Sequence, residues 1–201
     1  VKARHRGDYP GNWALNRKSW RVKLQKESLI DNTRVFNFIV PNEQVFKNYF
    51  SDYLAGLVGV LSLRDKLVEI FVNDKSQGVY HEMEYLDESF LRNNRIMPVN
   101  IYKGEQRYRE KQIMIANNLF DNPGLWSKVS VFNQLPETDF SDLKYVLELI
   151  RNAETSDDSL DRLKEVARYE DWALFSAFQT LVQSWHNGIS VNMRLVSDPW
   201  M

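Results

Sequence analysis

The sequence predicts an α+β fold in two lobes, β-rich first and mainly helical second. Three observations carry that reading. Alternating strand-like segments dominate residues 1–90, and amphipathic helical segments dominate residues 141–185. Strands followed by helices, rather than strands alternating with helices, point to α+β architecture. With 201 residues, 43% apolar and 26% charged, the chain has ordinary globular composition and enough length for a real core. The lobe boundary is expected near 104/105, within a connecting region.

The first lobe reads in order. Ser19–Leu24 alternates apolar and polar residues, as a half-buried strand does. Arg34–Val40 is a second strand. Pro41-Asn42 then punctuates, with Asn42 placed to cap a helix. Phe46, Tyr49, Phe50, Tyr53, Leu54, Leu57 and Val58 recur at helical spacing and predict a wide apolar stripe packed on a sheet. Gly59 sits where a left-handed helix terminus is wanted. Leu67–Val72 and Val79–Glu84 read as paired strands around a turn at Asn73–Gly78, with Tyr80, Glu82 and Glu84 on one face.

Residues 94–128 mix Asn, Gly, Pro and charge and read as loops, with a short helix near Gln112–Asn118. Three helices follow. Leu143, Val146, Leu147 and Ile150 mark the first, with Ser141 as its cap. Leu160, Leu163, Val166 and Ala167 mark the second. Leu174, Phe178, Leu181, Val182 and Trp185 mark the third, from near Asp171 to Trp185. Val191–Val196 reads as a closing strand. The chain starts at Val1 and stops at Met201 just after that strand, which reads as a fragment cut at both ends.

Charge is balanced overall but not locally. Lys+Arg is 26 and Asp+Glu is 27, which argues against a nucleic-acid protein acting through bulk charge. Residues 1–26 carry Lys2, Arg4, Arg6, Arg17, Lys18, Arg21, Lys23 and Lys26 against Asp8 alone among acids before Glu27. Residues 137–161 carry eight acids against Lys144 and Arg151. A basic first segment and an acidic later one suit a cleft that holds an anion; two solvated faces also account for them. Zero Cys excludes disulfides, thiolate metal sites and Cys nucleophiles. No apolar run approaches the roughly 20 residues of a transmembrane helix.

Several known chemistries are absent as motifs. There is no Gly-x4-Gly-Lys-Ser/Thr, no dinucleotide Gly-x-Gly-x-x-Gly and no Gly-x-Ser-x-Gly elbow. His5, His81 and His186 lack metal-ligand spacing. Arg6-Gly7-Asp8 spells an adhesion tripeptide, but it belongs to a longer turn-rich unit with Gly7, Pro10 and Gly11. Glycines there allow backbone N–H groups close approach to phosphate, and the flanking Arg and Lys supply charge.

That unit, Arg4-His5-Arg6-Gly7-Asp8 through Asn16-Arg17-Lys18-Ser19-Trp20-Arg21-Val22-Lys23-Leu24, resembles a block of the CotH kinase family, the spore-coat protein H type of atypical kinase. The likeness continues in order. It runs through Val35–Pro41, through Tyr53-Leu54-Ala55 with Leu57, Gly59, Val60 and Leu61, and through Val68–Asn73 with Gly78-Val79-Tyr80. Glu84–Leu91 follows. The last block is Trp185-His186-Asn187-Gly188 with Asn192, Arg194, Leu195 and Asp198-Pro199. Residues 105–170 match only loosely.

The resemblance implies a kinase-like two-lobed fold binding ATP and Mg²⁺, with phosphoryl transfer to protein Ser or Thr hydroxyls. By that resemblance Lys18 contacts the α- and β-phosphates, Glu84 holds Lys18 as an ion pair, and Arg6 and Gly7 lie near the phosphates. Asn192 is a metal ligand, with a further ligand expected beyond Met201. Asn187, or Gly188 if the block shifts by one, departs from the family, which carries a catalytic Asp there. An amide cannot act as a base, so the alternative is a catalytically impaired pseudokinase or a surface or coat assembly module. Asn-Gly is also a favoured turn after a helix. The implied partners are a protein substrate or a coat or surface protein. The implied location is a spore coat, a cell surface or the secreted fraction.

Overall fold

The computed structural model describes residues 1–7, 16–25, 27–105, 118–130, 136–184 and 192–199. It is α+β, with two compact units, Val1–Ile96 and Met97–Met201.

The first unit is built on a five-stranded antiparallel sheet. Its strands are β1 (Lys2–His5), β2 (Trp20–Lys23), β3 (Val35–Ile39), β4 (Asp65–Val72) and β5 (Lys75–Glu84), in the order β1-β2-β3-β5-β4. Helix α1 (Glu43–Leu57) crosses between β3 and β4, and α2 (Glu88–Asn93) follows β5. Asn42 caps α1 as expected: its side chain accepts from the Val45 N–H at 2.9 Å. Gly59, at φ 82°, ends it. The Val60 N–H bonds Ala55 C=O and the Gly59 N–H bonds Gly56 C=O, a Schellman closure.

Two expectations shift in this unit. The turn between β4 and β5 is shorter than Asn73–Gly78. Asn73 and Asp74, at φ 49° and 63°, make a two-residue reversal. Gln77 and Gly78 then fall opposite Ile70 alone as a bulge, with Gly78 at φ 83°. The α1 stripe is also rotated by one residue. The inward line is Val45, Asp52 and Ala55; Tyr49 flanks it, exposed over part of its surface, with its ring 5.7 Å from that of His81 on β5. Phe46, Phe50, Tyr53 and Leu57 are exposed.

The second unit holds a three-stranded antiparallel sheet that the sequence reading assigned largely to loops. Its strands are β6 (Asn100–Gly104), β7 (Trp126–Ser130) and β8 (Met193–Ser197), ordered β7-β6-β8. Strand β6, expected in the first lobe, pairs wholly within this unit. The unit also holds three helices, α3 (Ser141–Asn152), α4 (Asp157–Val166) and α5 (Tyr169–Leu181); α3 packs on the sheet and α4 on α3. The helix expected near 112–118 falls almost entirely outside the described residues. Ser141 is not the cap of α3. It is the first helical residue, and its N–H is accepted by Asp139 at 2.8 Å. Helix α5 stops at Leu181, because Gln183 adopts φ 51° and the Ser184 N–H folds back to Gln179 C=O. No helix among the described residues is long and apolar enough to cross a membrane.

The core of this unit comprises Tyr102, Leu119, Phe120, Trp126, Leu143 and Leu147. The Trp126 indole N–H bonds Leu119 C=O at 2.9 Å. Gly104 is required by close approach. A Cβ there would lie 3.0 Å from both Leu119 and Trp126 side chains.

Candidate functional site

The phosphate-binding residues expected in the first unit converge on one end of a hairpin. Strands β1 and β2 pair from Lys2↔Lys23 to His5↔Trp20. Beyond the last pair, the Arg6 N–H donates to Ser19 C=O at 2.9 Å, so the hairpin stays closed to that point. Arg6, Gly7 and Lys18 therefore lie together at that end of the hairpin. Gly7 sits at φ 103°, a region that side-chain-bearing residues avoid. Among the described residues Lys18 has no ion-pair partner.

Arg17, which the sequence reading placed only among the basic residues, fixes this end of the hairpin to the sheet. Its guanidinium donates to Val79 C=O at 2.6 Å and lies 4.8 Å from the centre of the buried Tyr80 ring. Only its place beside Lys18 hinted at this.

Glu84 lies elsewhere. Trp20 is opposite Phe38, and Phe38 is opposite Glu82. Glu84 is therefore about 13 Å further along the strand direction than Lys18, and two strands, about 10 Å, across. The expected Lys18–Glu84 ion pair is not formed. The buried Glu84 carboxylate accepts instead from the Arg64 backbone N–H at 3.1 Å and from Asn93 Nδ2 at 2.5 Å. The Arg64 guanidinium lies 3.5 Å away. Glu84 thus joins the start of β4 to the end of α2. Arg64 and Asn93 carried no sequence signal, being 20 and 9 residues from their partner.

In the second unit, Asn192 precedes β8 with φ 57° and is exposed. Asn187 and Gly188 lie outside the described residues. Among the described residues no group of three or more metal-ligating side chains is assembled. The unit's hydrogen-bonded carboxylate is the half-buried Asp142 at the start of α3. It accepts from Tyr102 Oη, from Asn100 Nδ2 at 3.0 Å, from Ser197 and from the Leu143 N–H at 2.8 Å. Burial raises its pKa, but these donors together outweigh burial and hold it below the ordinary Asp value.

A family model described as CotH kinase protein matches residues 3–199. The chain belongs to the CotH kinase family. The match spans nearly all of this CotH domain, including both the hairpin end and the segment around Asn187 and Asn192. No curated protein matches the chain.

Proposed function

We infer that this CotH domain binds ATP through the loop end of the β1–β2 hairpin and transfers its γ-phosphoryl group to protein Ser or Thr hydroxyls. The observation that carries this reading is the meeting of Arg6, Gly7 and Lys18 at that end. The donor set suits phosphates: two cations beside a glycine whose backbone N–H a phosphate oxygen can approach. When bound, Mg²⁺ and ATP would supply charge neutralisation and the phosphoryl group. The chain's own part is then binding and positioning. Lys18 and Arg6 hold phosphate oxygens, and the Gly7 N–H adds a neutral donor. Asn192 offers a carboxamide oxygen for a metal, with further ligands supplied from elsewhere.

Asn187 favours a second reading, a pseudokinase that holds nucleotide without transferring phosphate. Its carboxamide can orient a hydroxyl by hydrogen bonding but cannot take its proton. A spore-coat, cell-surface or secreted role, with a coat or surface protein as partner, belongs to either reading.

Thermal melting with and without Mg·ATP tests both. The first expectation is that ATP raises Tm and that Lys18→Ala removes the rise. No shift in the wild-type chain would overturn nucleotide binding. Transfer of labelled phosphate to a Ser-containing protein then separates kinase from pseudokinase. If Asn187→Asp gains no transfer while ATP still stabilises, position 187 is not that of the base.

A further inference from the structure

The β1–β2 hairpin contains an arrangement that folding alone disfavours. Lys2 lies directly opposite Lys23, and Arg4 directly opposite Arg21. Like charges facing each other across an antiparallel pair destabilise it. All four project to one face, because residues directly opposite share a face and alternate residues along a strand repeat it. They line an open groove of about 460 Å³ together with Ala3, Val35 and Tyr85, and no acidic residue lines it. Arg34 extends the basic lining alongside Lys2 and Lys23.

Lys2, Arg4 and Lys23 have no ion-pair partner among the described residues. Arg21 is fixed in place: its Nε donates to Asn37 Oδ1 at 2.8 Å, and its guanidinium lies 4.6 Å from the centre of the Tyr85 ring. Arg21 is thus held in place beside three cations that no ion pair among the described residues offsets.

The ladder has a definite repeat. Its two rungs are two residues apart, about 6.8 Å along the strand. Strand β1 is the edge of the sheet among the described residues, and all four of its residues are exposed. A further strand laid against β1 would place its own alternate side chains opposite Lys2 and Arg4 at that same repeat. We propose that this face binds an extended peptide carrying negative charges at alternate positions, added as a strand to the β1 edge. Main-chain hydrogen bonds supply the docking and the cation ladder reads the charges. Phosphoserine and carboxylate side chains both satisfy this chemistry, phosphoserine more strongly through the two arginines.

The experiment uses fluorescence anisotropy on the full chain without ATP, so it is independent of phosphoryl transfer. Three labelled peptides of the form Thr-X-Val-X-Thr carry phosphoserine, glutamate or serine at X. A fourth carries two adjacent phosphoserines. Binding is expected for phosphoserine at alternate positions, weaker binding for glutamate, and none for serine. Adjacent phosphoserines, which point to opposite faces of a strand, bind about tenfold more weakly. Lys2→Ser with Lys23→Thr lowers affinity about tenfold or more. The same double variant raises Tm by about 1–2 °C, because the like-charge rung is gone. Equal binding of the adjacent and alternate peptides would overturn strand addition. Loss of Mg·ATP stabilisation in the double variant would also overturn it, because the ladder would then serve the nucleotide. Absence of binding to all four peptides leaves no peptide site on this face.

Discussion

Two partly buried carboxylates, one in each unit, are driven in opposite directions. Asp142 in the second unit receives four donors, and its pKa falls. Asp52 on α1 lies under the first unit's sheet near Asp65 and is pushed up to about 7, by burial and then by the Asp65 charge. Asp65 is also raised by burial, although His81 Nε2, 2.9 Å from its carboxylate, works the other way. His81 Nδ1 is buried without a hydrogen-bond partner among the described residues. Asp52 is the more deeply buried of the two and has the Asp65 charge beside it, whereas the donors around the half-buried Asp142 outweigh its burial, so donors are what let Asp142 keep its charge.

The largest expected effect comes from removing the well-supplied carboxylate. Asp142→Ala leaves Tyr102 Oη, Asn100 Nδ2 and Ser197 without their acceptor between the sheet and α3. It should cost about 3–5 kcal/mol in denaturant unfolding. The folded pKa of Asp142 lies below its unfolded value, so its contribution is full above the unfolded pKa. It is lost as pH falls through the folded one. Wild-type stability should therefore drop below about pH 4, and the variant should lack that part of the drop. An unfolding midpoint within error of wild type would break the comparison at its stronger end.

These sites also mark where sequence reading stops. The β4–β5 pair, Asn42 and Gly59 were legible because alternation, capping and left-handed termini are local patterns. Strand β6 was not. It is the central strand and is buried on both faces, so Asn100–Gly104 lacks the alternation that marks a half-buried strand. Asp142 sat in an acidic segment, and its partners on β6 are 40 and 42 residues away. His81 was weighed only for metal-ligand spacing, while its partner Asp65 is 16 residues distant on the neighbouring strand. Lys18, Arg6 and Gly7 were legible as a unit because they fall within one short stretch of sequence. Glu84 was legible only as one of a row with Tyr80 and Glu82 on one face and, through the family resemblance, as an expected partner of Lys18. Its pairing with Arg64 depends on how β4 enters the sheet.

The poorly supplied site should respond with the opposite sign. With a folded pKa of about 7, Asp52 keeps its proton in the native state while an unfolded Asp loses it near pH 4. Stability from this group is therefore full at low pH and declines as pH rises from about 4 to 7. Groups facing it are Asp65 and, through Asp65, His81; Tyr49 lies between on the same helix face. Asp52→Asn should flatten that decline and raise stability by roughly 1–3 kcal/mol at pH 8, with little change at pH 4. Thermal melts of both proteins across this range measure it. A variant less stable than wild type at pH 8 would show that Asp52 has donors enough to keep its charge.

Glu84 provides the smallest and most discriminating case, because it is more buried than Asp142 or Asp52 and its donors are mixed. The Arg64 backbone N–H serves Oε2, while Asn93 Nδ2 and the half-exposed Arg64 guanidinium serve Oε1. Glu84→Gln keeps the shape and one acceptor oxygen but turns an amide toward the other donors. With the carbonyl oxygen on Asn93, the Arg64 N–H loses its acceptor; with the opposite orientation, Asn93 does. Either way one buried donor is lost, which costs about 1 kcal/mol. The guanidinium, being largely solvated, contributes little. If the donor count governs, the cost of Glu84→Gln should persist at high salt, since it comes from a hydrogen bond and not from the ion pair. A cost that disappears with added salt would instead assign Glu84 to its charge on Arg64, and the contrast between Asp142 and Asp52 would then need charge, not donors, as its common term.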